Sequence, residues 1–544
     1  MKGITRRGFL AAATVAAASA TAAGLAGCAP SGAAGEGSSQ DSGGAKTRWS
    51  WETKPDPILE SDIAETIDAD ICIVGFGATG APAALAAAQS GAKVVVLQKE
   101  STVVTNGWSA AAFGSRRFLE AGQTYDLAEI YAQFAELANG RDNPRVVRLF
   151  LERSGEVMDY LLDQTPEQEP VLLESGHTFG WYINNDMSTR YDQFKKLLEN
   201  MAGKAEAAGA QVLYKTPGVQ LVQDDGGAVV GVIGERSDGS YVRVNASKGV
   251  VLATGDLSDD EEMVECFTPI LKGVQNMHGM PTNTGDGFKM ALWAGASIDP
   301  APHCIMMHFD PTWLPEGNAP YSGIPWLRVN LKGERFANEN LGYQSVVTSV
   351  RIQPEQTAFQ ITDANWAVHA AVDDYQHPNS HSRHTTNPEA DWQDAIDRGA
   401  IVQADTLEEL ADACGIQKDT FLATVERYNE LVDKGVDEDM GVRGDYLSWN
   451  AIKEPPFYAI KRMPGVLATV GGLTVNERLE VLDTAGEPIP GLYAGGDASG
   501  SFYGSDYPLF ITGGSLGRAF TFGVLAVRSA LGVLDEPLDG LGAR

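Results

Sequence analysis

A glycine-rich turn between two short apolar segments constrains this chain more than any other feature. The turn is G-F-G-A-T-G at residues 75–80; it follows the apolar run 71–74 and precedes a small-residue segment, 81–90, and a second apolar run, 94–97. This order predicts a strand, a turn, a helix and a second strand. Glycines in such a turn allow a tight bend, close approach of a pyrophosphate and close packing of the helix on the strand. The helix N-terminus adds backbone donors and partial positive charge. We therefore predict a Rossmann-like α/β domain that binds a dinucleotide.

One position of this unit departs from the usual pattern. The acidic residue expected at the end of the second strand is Gln98, and Glu100 lies two residues further on. A glutamine can hydrogen-bond a ribose hydroxyl, although it lacks the charge assistance that a carboxylate provides.

Length, charge and cysteine content limit the rest of the molecule. A chain of 544 residues is too long for one simple core, so we expect two intertwined domains. The net charge of -31 opposes binding to nucleic acid, which is itself a polyanion. The five cysteines form neither C-x-x-C nor C-x-x-C-H, a pattern that argues against an iron–sulfur cluster or an attached c-type haem. Electrons must then come from a separate donor protein, for which a cytochrome or a flavoprotein is expected.

The N-terminal residues have the features of an export signal. Arg6 and Arg7 precede an alanine-rich apolar run that is short for a membrane span, and this pattern resembles a twin-arginine signal. The sequence L-A-G-C ending at Cys28 is similar to a lipoprotein cleavage site. We expect a signal at 1–28, a flexible Gly/Ser/Ala-rich tether at 29–66, and a protein exported to the cell surface or periplasmic side, anchored by lipid only at Cys28.

Further motifs make the whole chain resemble a flavoprotein family. They are A-T-G at 253–255, N-T-G-D-G at 283–287, G-L-Y-A-G-G-D at 491–497 and G-G-S-L-G at 513–517. Together with the glycine turn they resemble, in order, the soluble fumarate reductases, urocanate reductases and ketosteroid dehydrogenases. That resemblance implies a glutathione-reductase-type FAD-binding domain at 67–302 and 465–544, interrupted by an α+β capping domain at 303–464. It also implies that the cofactor is FAD, bound non-covalently, with no metal.

The same resemblance identifies candidate cofactor ligands throughout the FAD-binding domain. Asp497 takes the position of the acid that holds the ribityl chain, and the last helix would direct its N-terminus at the flavin. The expected FAD-binding residues are Gly75, Gly77, Ala78, Thr79, Gly80, Gln98, Lys99, Ser109, Ala110, Ala253, Thr254, Gly255, Asp286, Gly496, Asp497, Ser515 and Leu516.

The segment G-E-R-F-A-N-E at 333–339 resembles a motif of the cap. The resemblance implies that Arg335 donates a proton to the substrate carbon while reduced flavin delivers hydride. Because arginine has a very high pKa, a structural ion pair between Arg335 and Glu339 is an equally good interpretation.

Residues that bind fumarate in the resembling enzymes are largely replaced here. Asp310 and Ala468 stand at histidine positions, and Ile511 stands at the position of a substrate-clamping arginine. Loss of these cations disfavours a dicarboxylate, so a neutral or singly charged substrate is expected. The candidate substrate-binding residues are His308, Asp310, Arg328, Gly513 and Gly514, although His308 and Arg328 can equally be polar residues that stabilise the cap.

A second branch of the family remains open. Tyr507-Pro508 resembles a motif of ketosteroid dehydrogenases, and Tyr343 falls near another tyrosine of that group. One tyrosinate can remove a proton next to a carbonyl while another tyrosine polarises that carbonyl; packing in the cap is the structural alternative. We favour reduction of an activated C=C bond of a small enoate or enone over desaturation. A flavin electron carrier without a substrate is a third possibility.

Overall fold

The computed structural model describes residues 48–173, 175–184, 189–277, 281–308, 314–317, 319–370, 387–447, 450–538 and 541. The predicted signal, Cys28 and residues 29–47 of the predicted tether lie outside this part of the chain, as does Asp310. Within the described residues no helix is long and apolar enough to cross a membrane.

The first part of the chain forms most of a large sheet and the helices that cover it. Its strands are β1 Ile63–Val74, β2 Val94–Gln98, β3 Ser109–Ala111, β4 Val171–Leu172, β5 Thr178–Gly180, β6 Gln211–Tyr214, β7 Gly218–Gln223, β8 Val229–Glu235, β9 Tyr241–Leu252 and β10 Gln275–Asn276. Its α-helices are α1 Gly80–Gln89, α2 Arg116–Glu120, α3 Leu127–Ala138, α4 Pro144–Gln164, α5 Arg190–Ala207, α6 Glu261–Phe267 and α7 Asp286–Trp293. The predicted β1–turn–α1–β2 unit is present, and β1 begins eight residues earlier than the predicted apolar run at 71–74.

The middle of the chain forms a separate sheet with its own helices. The strands of this sheet are β12 Arg328–Asn330, β13 Ala358–Thr362, β14 Ile401–Ala404 and β15 Phe457–Arg462; the strand β11 Ile305–His308 precedes them and lies outside this sheet. Its α-helices are α8 Tyr343–Arg351, α9 Trp366–Ala370, α10 Pro388–Asp397, α11 Leu407–Cys414, α12 Lys418–Lys434 and α13 Gly444–Leu447. Strands β12, β13, β15 and β14 pair in that order and antiparallel, and this sheet lies entirely within the predicted cap, 303–464.

The last part of the chain returns to the large sheet. It begins with β16 Gly465–Thr469, which belongs to a smaller sheet with β10 and β11, and then adds β17 Glu480–Leu482 and β18 Pro488–Ala494 to the large sheet, followed by α14 Gly514–Ala530. Strand β16 pairs antiparallel with β11 and parallel with β10. These pairings connect the segment where the chain enters its middle part, at β11, with the segment where it leaves, at β16.

Four parallel pairings build the centre of the large sheet, which has the order β17-β18-β9-β1-β2-β6. The central strands are apolar because both of their faces are covered, as residues 71–74 and 94–97 show by being at most 4% exposed. Helix α1 consists largely of alanine and is buried along almost its whole length, which allows it to lie close to the sheet and to α14. Parallel strands covered by helices place the carboxyl ends of β1, β2, β9 and β18 at one edge, where α/β proteins bind ligands.

Candidate active site

An elongated cleft of about 980 Å³, counting its open mouth, lies at this edge of the large sheet. Each of the four strands is followed by residues that line it. The lining residues include Gly75, Gly77, Ala78, Thr79, Gln98, Lys99, Glu100, Ala253, Thr254, Gly255, Asp286, Asp497, Ser515 and Leu516. A cleft at this edge of a parallel sheet is typical of a cofactor site.

Glycines in the turn after β1 are required by close backbone contacts. Gly75 has a φ of +100°, and a Cβ there would overlap the carbonyl oxygen of Ala253. A Cβ on Gly80 would in turn overlap the carbonyl oxygen of Gly75. The turn is therefore compressed between β9 and the start of α1, so that main-chain atoms rather than side chains face the cleft. This arrangement suits a pyrophosphate, which binds backbone N–H groups at a helix N-terminus.

Gln98 lies in the cleft lining and makes hydrogen bonds within the protein. Its Oε1 accepts a hydrogen bond from the Phe76 backbone N–H at 3.2 Å, and its Nε2 donates to the Thr102 carbonyl at 2.8 Å. The side chain is 5% exposed and lines the cleft while holding the glycine turn. Its Phe76 bond supports the turn directly, whereas Glu100 presents a second polar side chain to the cleft.

Lys99 and Asp286 connect two sides of the cleft. Lys99 Nζ lies 3.0 Å from Asp286 Oδ2 and 2.9 Å from the hydroxyl oxygen of Thr284. Asp286 is the first residue of α7, a favourable position for a negative charge at the N-terminus of a helix. The ion pair is partly exposed at the mouth of the cleft.

Asp497 is held from behind by a buried cation. Arg518 Nη2 donates to Asp497 Oδ1 at 2.7 Å, and the Ser515 hydroxyl donates to the same oxygen at 3.1 Å. The Arg518 side chain is fully buried, and its guanidinium packs over the ring of Tyr503 at 4.7 Å. Asp497 Oδ1 thus accepts hydrogen bonds within the protein. Oδ2 accepts none from the described part of the chain. The arrangement fits a ligand hydroxyl, such as that of a ribityl chain.

Two buried tyrosines lie beside the start of α14. Tyr507 Oη accepts a hydrogen bond from the Ser515 backbone N–H at 3.0 Å, so its own proton is free to be donated. Tyr503 packs against Tyr507 with 5.0 Å between ring centroids, and its hydroxyl has no partner among the described residues. Burial raises the pKa of Tyr507 to about 12, and burial also raises the pKa of Tyr503. Both are therefore neutral hydrogen-bond donors at physiological pH.

The predicted substrate positions are apolar where fumarate reductases of the resembling family carry cations. Ala468 and Ile511 are 6% and 1% exposed. His308 ends β11 beside β16, and burial lowers its pKa to about 4, so that it is uncharged at neutral pH. Gly513 and Gly514 form the start of α14, and the Gly513 carbonyl accepts from the Ala111 N–H at 2.9 Å.

Arg335 is held in an ion cluster within the cap. Its guanidinium donates to both oxygens of Glu339, at 2.9 and 2.7 Å, and to both oxygens of Asp437, at 3.1 and 2.8 Å. Burial opposes its charge, but the hydrogen bonds to the two carboxylates outweigh burial and raise the pKa of Arg335. The pKa of Asp437 falls to about 2, because its bonds to Arg335 and to backbone N–H groups outweigh its own burial. This geometry favours the structural interpretation of Arg335 over proton donation, since four of its five N–H donors are already used.

Arg328 is likewise occupied within the cap. It is 1% exposed and donates to the carbonyl of Ser322 at 2.8 Å, with longer contacts to the carbonyls of Ile324 and Glu339. These bonds favour the structural alternative for Arg328. Tyr343 begins α8, and its side chain lies outside the described part of the structure.

Some expected cofactor residues support the cleft from behind instead of lining it. Gly80, Ser109, Ala110 and Gly496 are absent from its surface. Ser109 and Ala110 are buried in β3, and Gly496 packs against the side chain of Thr79. Conversely, residues outside the expected cofactor set also line the cleft: Val74, Phe76, Leu97, Glu100, Val104, Thr105, Asn106, Pro217, Gly218, Thr282, Asn283 and Ala519. Many of these residues lie next to a recognised motif, so extending each motif by a few residues would have found them.

The parallel sheet, the compressed glycine turn and the acid held by Arg518 define a flavin-dependent oxidoreductase. The chain belongs to the family described as FAD binding domain, whose model matches residues 70–509. The predicted cofactor, FAD, and the predicted α/β FAD-binding fold are thereby confirmed.

Relatives of the chain act as reductases and dehydrogenases. It is 27% identical over 485 residues to vinyl phenol reductase of Lactiplantibacillus plantarum, covering 84% of this chain and 94% of that protein. It is 28% identical over 471 residues to NADH:fumarate oxidoreductase of Klebsiella pneumoniae, covering 85% of this chain but only 47% of that longer protein.

Solved structures show the same fold. The open conformation of a flavocytochrome c3 fumarate reductase matches with a TM-score of 0.70 at 23% identity, over 90% of this chain and 83% of that one. The 3-ketosteroid-Δ4-(5α)-dehydrogenase of Rhodococcus jostii matches with a TM-score of 0.66 at 23% identity, over 87% of this chain and 99% of that one. The protein is thus an FAD-dependent oxidoreductase of the fumarate reductase type, whose relatives act on CH–CH or C=C groups.

Proposed function

We propose that this enzyme reduces an activated C=C bond of a small enone or enoate that is not a dicarboxylate. The observation that supports this proposal is that Ala468 and Ile511 are buried and apolar. They stand at positions where a doubly charged substrate needs cations. His308 adds no charge at neutral pH, because burial lowers its pKa to about 4. Vinyl phenol reductase, a relative that matches over nearly its whole length, supports a substrate without carboxylates.

Tyr507 is the residue best placed to polarise such a substrate. Its oxygen is fixed by the Ser515 N–H at the start of α14, and its proton has no acceptor among the described residues. Donation of this proton to a carbonyl or phenol oxygen would withdraw electrons from the conjugated double bond. Bound FAD supplies hydride transfer when reduced, and Tyr507 makes the receiving carbon more electrophilic.

The proton for the neighbouring carbon is proposed to come from the cap. Arg335 keeps this role only if the cluster with Glu339 and Asp437 opens, since that cluster uses its donors. Tyr343, at the start of α8, is the other candidate that the sequence offers.

An anaerobic reoxidation assay tests the proposal. Enzyme reduced with dithionite would be mixed with a hydroxystyrene, a cinnamate, a cyclic enone and fumarate, and the return of oxidised-flavin absorbance followed. We expect at least one of the first three to reoxidise the flavin much faster than fumarate does. Reoxidation by none of a broad panel would favour a flavin electron carrier.

Desaturation by a ketosteroid-dehydrogenase-like mechanism is the second candidate. The packing of the Tyr507 and Tyr503 rings, whose centroids lie 5.0 Å apart, favours it, because such chemistry uses two tyrosines. It requires one of them to lose its proton although burial raises the pKa of both. Oxidised enzyme incubated anaerobically with a saturated ketone and no other electron acceptor separates the directions: bleaching of the flavin would support desaturation, and an unchanged flavin spectrum would oppose it.

We further propose that the enzyme is exported by the twin-arginine route, anchored at Cys28 and supplied with electrons by a separate cytochrome or flavoprotein. The motif at Arg6 and Arg7 and the cysteine pattern support this location and this donor. Radiolabelled lipid on the wild-type protein but not on Cys28→Ser would test the anchor.

A further inference from the structure

Asp256 is a buried acid directly beside the FAD cleft. It follows Ala253, Thr254 and Gly255, three residues that line the cleft after β9, and it is 1% exposed. None of the motifs assigns it a role. A carboxylate at such a position is costly to bury unless it is paired or changes its protonation state.

Neutral groups alone donate to Asp256. Its Oδ2 accepts from the Thr469 N–H at 2.6 Å, and its Oδ1 accepts from the N–H and hydroxyl of Ser258 at 3.1 and 2.9 Å. Two acids that line the cleft have cations, since Asp497 pairs with Arg518 and Asp286 pairs with Lys99. Glu100, which also lines the cleft, is partly exposed and not buried as Asp256 is. Within the described part of the chain, Asp256 has no such partner.

We propose that Asp256 takes up a proton when the bound flavin is reduced. Two electrons come from the reductant, one solvent proton goes to the flavin ring, and a second solvent proton converts the Asp256 carboxylate to the carboxylic acid. The step forms one O–H bond on Asp256 and breaks no bond of the protein. The physical reason is that a reduced, negatively charged ring repels a nearby anion, and Asp256 is a buried anion that has no cationic partner among the described residues.

The surrounding charges agree with this assignment. Asp497 is the titratable group that acts on Asp256 from the loop after β18, and Arg518 on α14 already neutralises Asp497. On its own segment, Asp260 pairs with Lys289 and Asp259 accepts from Asn276 and Asn283. Burial first, and the charge of Asp497 second, raise the pKa of Asp256 to about 7. Additional negative charge on the reduced flavin therefore raises the pKa of Asp256 above physiological pH.

Proton uptake during flavin reduction tests this role in the intact holoenzyme. Anaerobic wild-type protein would be reduced stoichiometrically in weak buffer at about pH 8, with a pH-indicator dye recording protons bound per flavin. We expect the wild type to take up more protons per two electrons than Asp256→Asn, by a difference approaching one. The flavin potential of the wild type should also fall more steeply with pH above neutrality, whereas the two proteins should coincide in acid, where Asp256 is already protonated.

Asp363→Asn is the matched control. Asp363 is also 1% exposed and accepts only backbone N–H bonds, from Asn365, Lys453 and Glu454, but it lies in the cap. Its substitution should leave proton uptake unchanged. Equal uptake by wild type and Asp256→Asn would overturn the proposal. If Asp256→Asn fails to fold, a wild-type uptake of no more than one proton per two electrons at about pH 8 would overturn it equally.

Discussion

The FAD cleft and the Arg335 cluster of the cap are built in opposite ways. The cleft depends on main-chain atoms brought together by glycines within six residues, 75–80, which press against the end of β9. The cluster depends on three charged side chains, and Asp437 is 102 residues from Arg335. A site of the first kind can be recognised from a short stretch of sequence. Sites of the second kind appear only when distant segments of the chain are in place.

Substitution of Gly75 should have the largest effect and tests the backbone-built site. Gly75→Ala places a Cβ against the Ala253 carbonyl at a φ of +100°, so we expect purified protein that lacks flavin. The ratio of flavin to protein absorbance measures this loss. Gly209→Ala is the matched control, because Gly209 has a φ of +104° but open space around its Cβ position. Full flavin content in Gly75→Ala would contradict the compressed turn.

Substitution of Arg335 tests the side-chain-built cluster. Arg335→Ala leaves the buried carboxylates of Glu339 and Asp437 without their cation, which should lower the free energy of unfolding by about 3–5 kcal/mol. Urea unfolding measures this change. Arg427→Ala removes a comparable two-acid contact on the surface, to Asp439 and Glu430, and should change stability little.

The same Arg335 variant distinguishes structure from proton donation. If Arg335 is the proton donor, Arg335→Ala abolishes turnover in protein that is still folded and carries a normal flavin spectrum. If near-normal turnover persists in the folded fraction, Tyr343 and Tyr507 become the better candidates.

Tyr507→Phe tests the proposed role of Tyr507 in polarising the substrate. The variant loses the acceptor for the Ser515 N–H and the free donor, so we expect kcat to fall about a hundredfold with flavin content unchanged. Steady-state kinetics with the best substrate measures the effect. Tyr131→Phe, which removes only a hydroxyl bound to Asp142, should retain kcat. An unchanged kcat in Tyr507→Phe would remove this residue from the mechanism.

The ion pair of Lys99 and Asp286 should have the smallest effect. It is partly exposed, so Lys99→Ala should weaken FAD binding by about 1 kcal/mol or less, and less still in high salt. Fluorescence titration of FAD into the apoprotein measures it. Lys272→Ala, which breaks a surface pair with Glu265, should leave the affinity unchanged; a loss of several kcal/mol in Lys99→Ala would show that Lys99 contacts the cofactor directly.

The fold and the cofactor could be predicted because their signals are local. The apolar runs at 71–74 and 94–97 became β1 and β2, and the glycine turn stands between them. Gln98 shows the limit of this reasoning. Its position at the end of β2 was predicted, but its bonds to Phe76 and Thr102 depend on how the turn packs.

Contacts between side chains from distant segments were less predictable, because they depend on how the chain folds. The replacements at Ala468 and Ile511 could be read from the sequence, and both residues are buried. The cation behind Asp497 could not, since Arg518 reaches it from the second turn of α14. The lack of a cationic partner for Asp256 could not be predicted either, because it depends on every neighbouring segment of the described chain.

The most direct test is the rate at which reduced enzyme is reoxidised by a hydroxystyrene and by fumarate under identical anaerobic conditions. The buried, apolar Ala468 and Ile511 predict that a compound that is not a dicarboxylate, such as the hydroxystyrene, reoxidises the flavin much faster than fumarate does. Rapid reoxidation by fumarate, with none by the hydroxystyrene or by neutral enones, would contradict it.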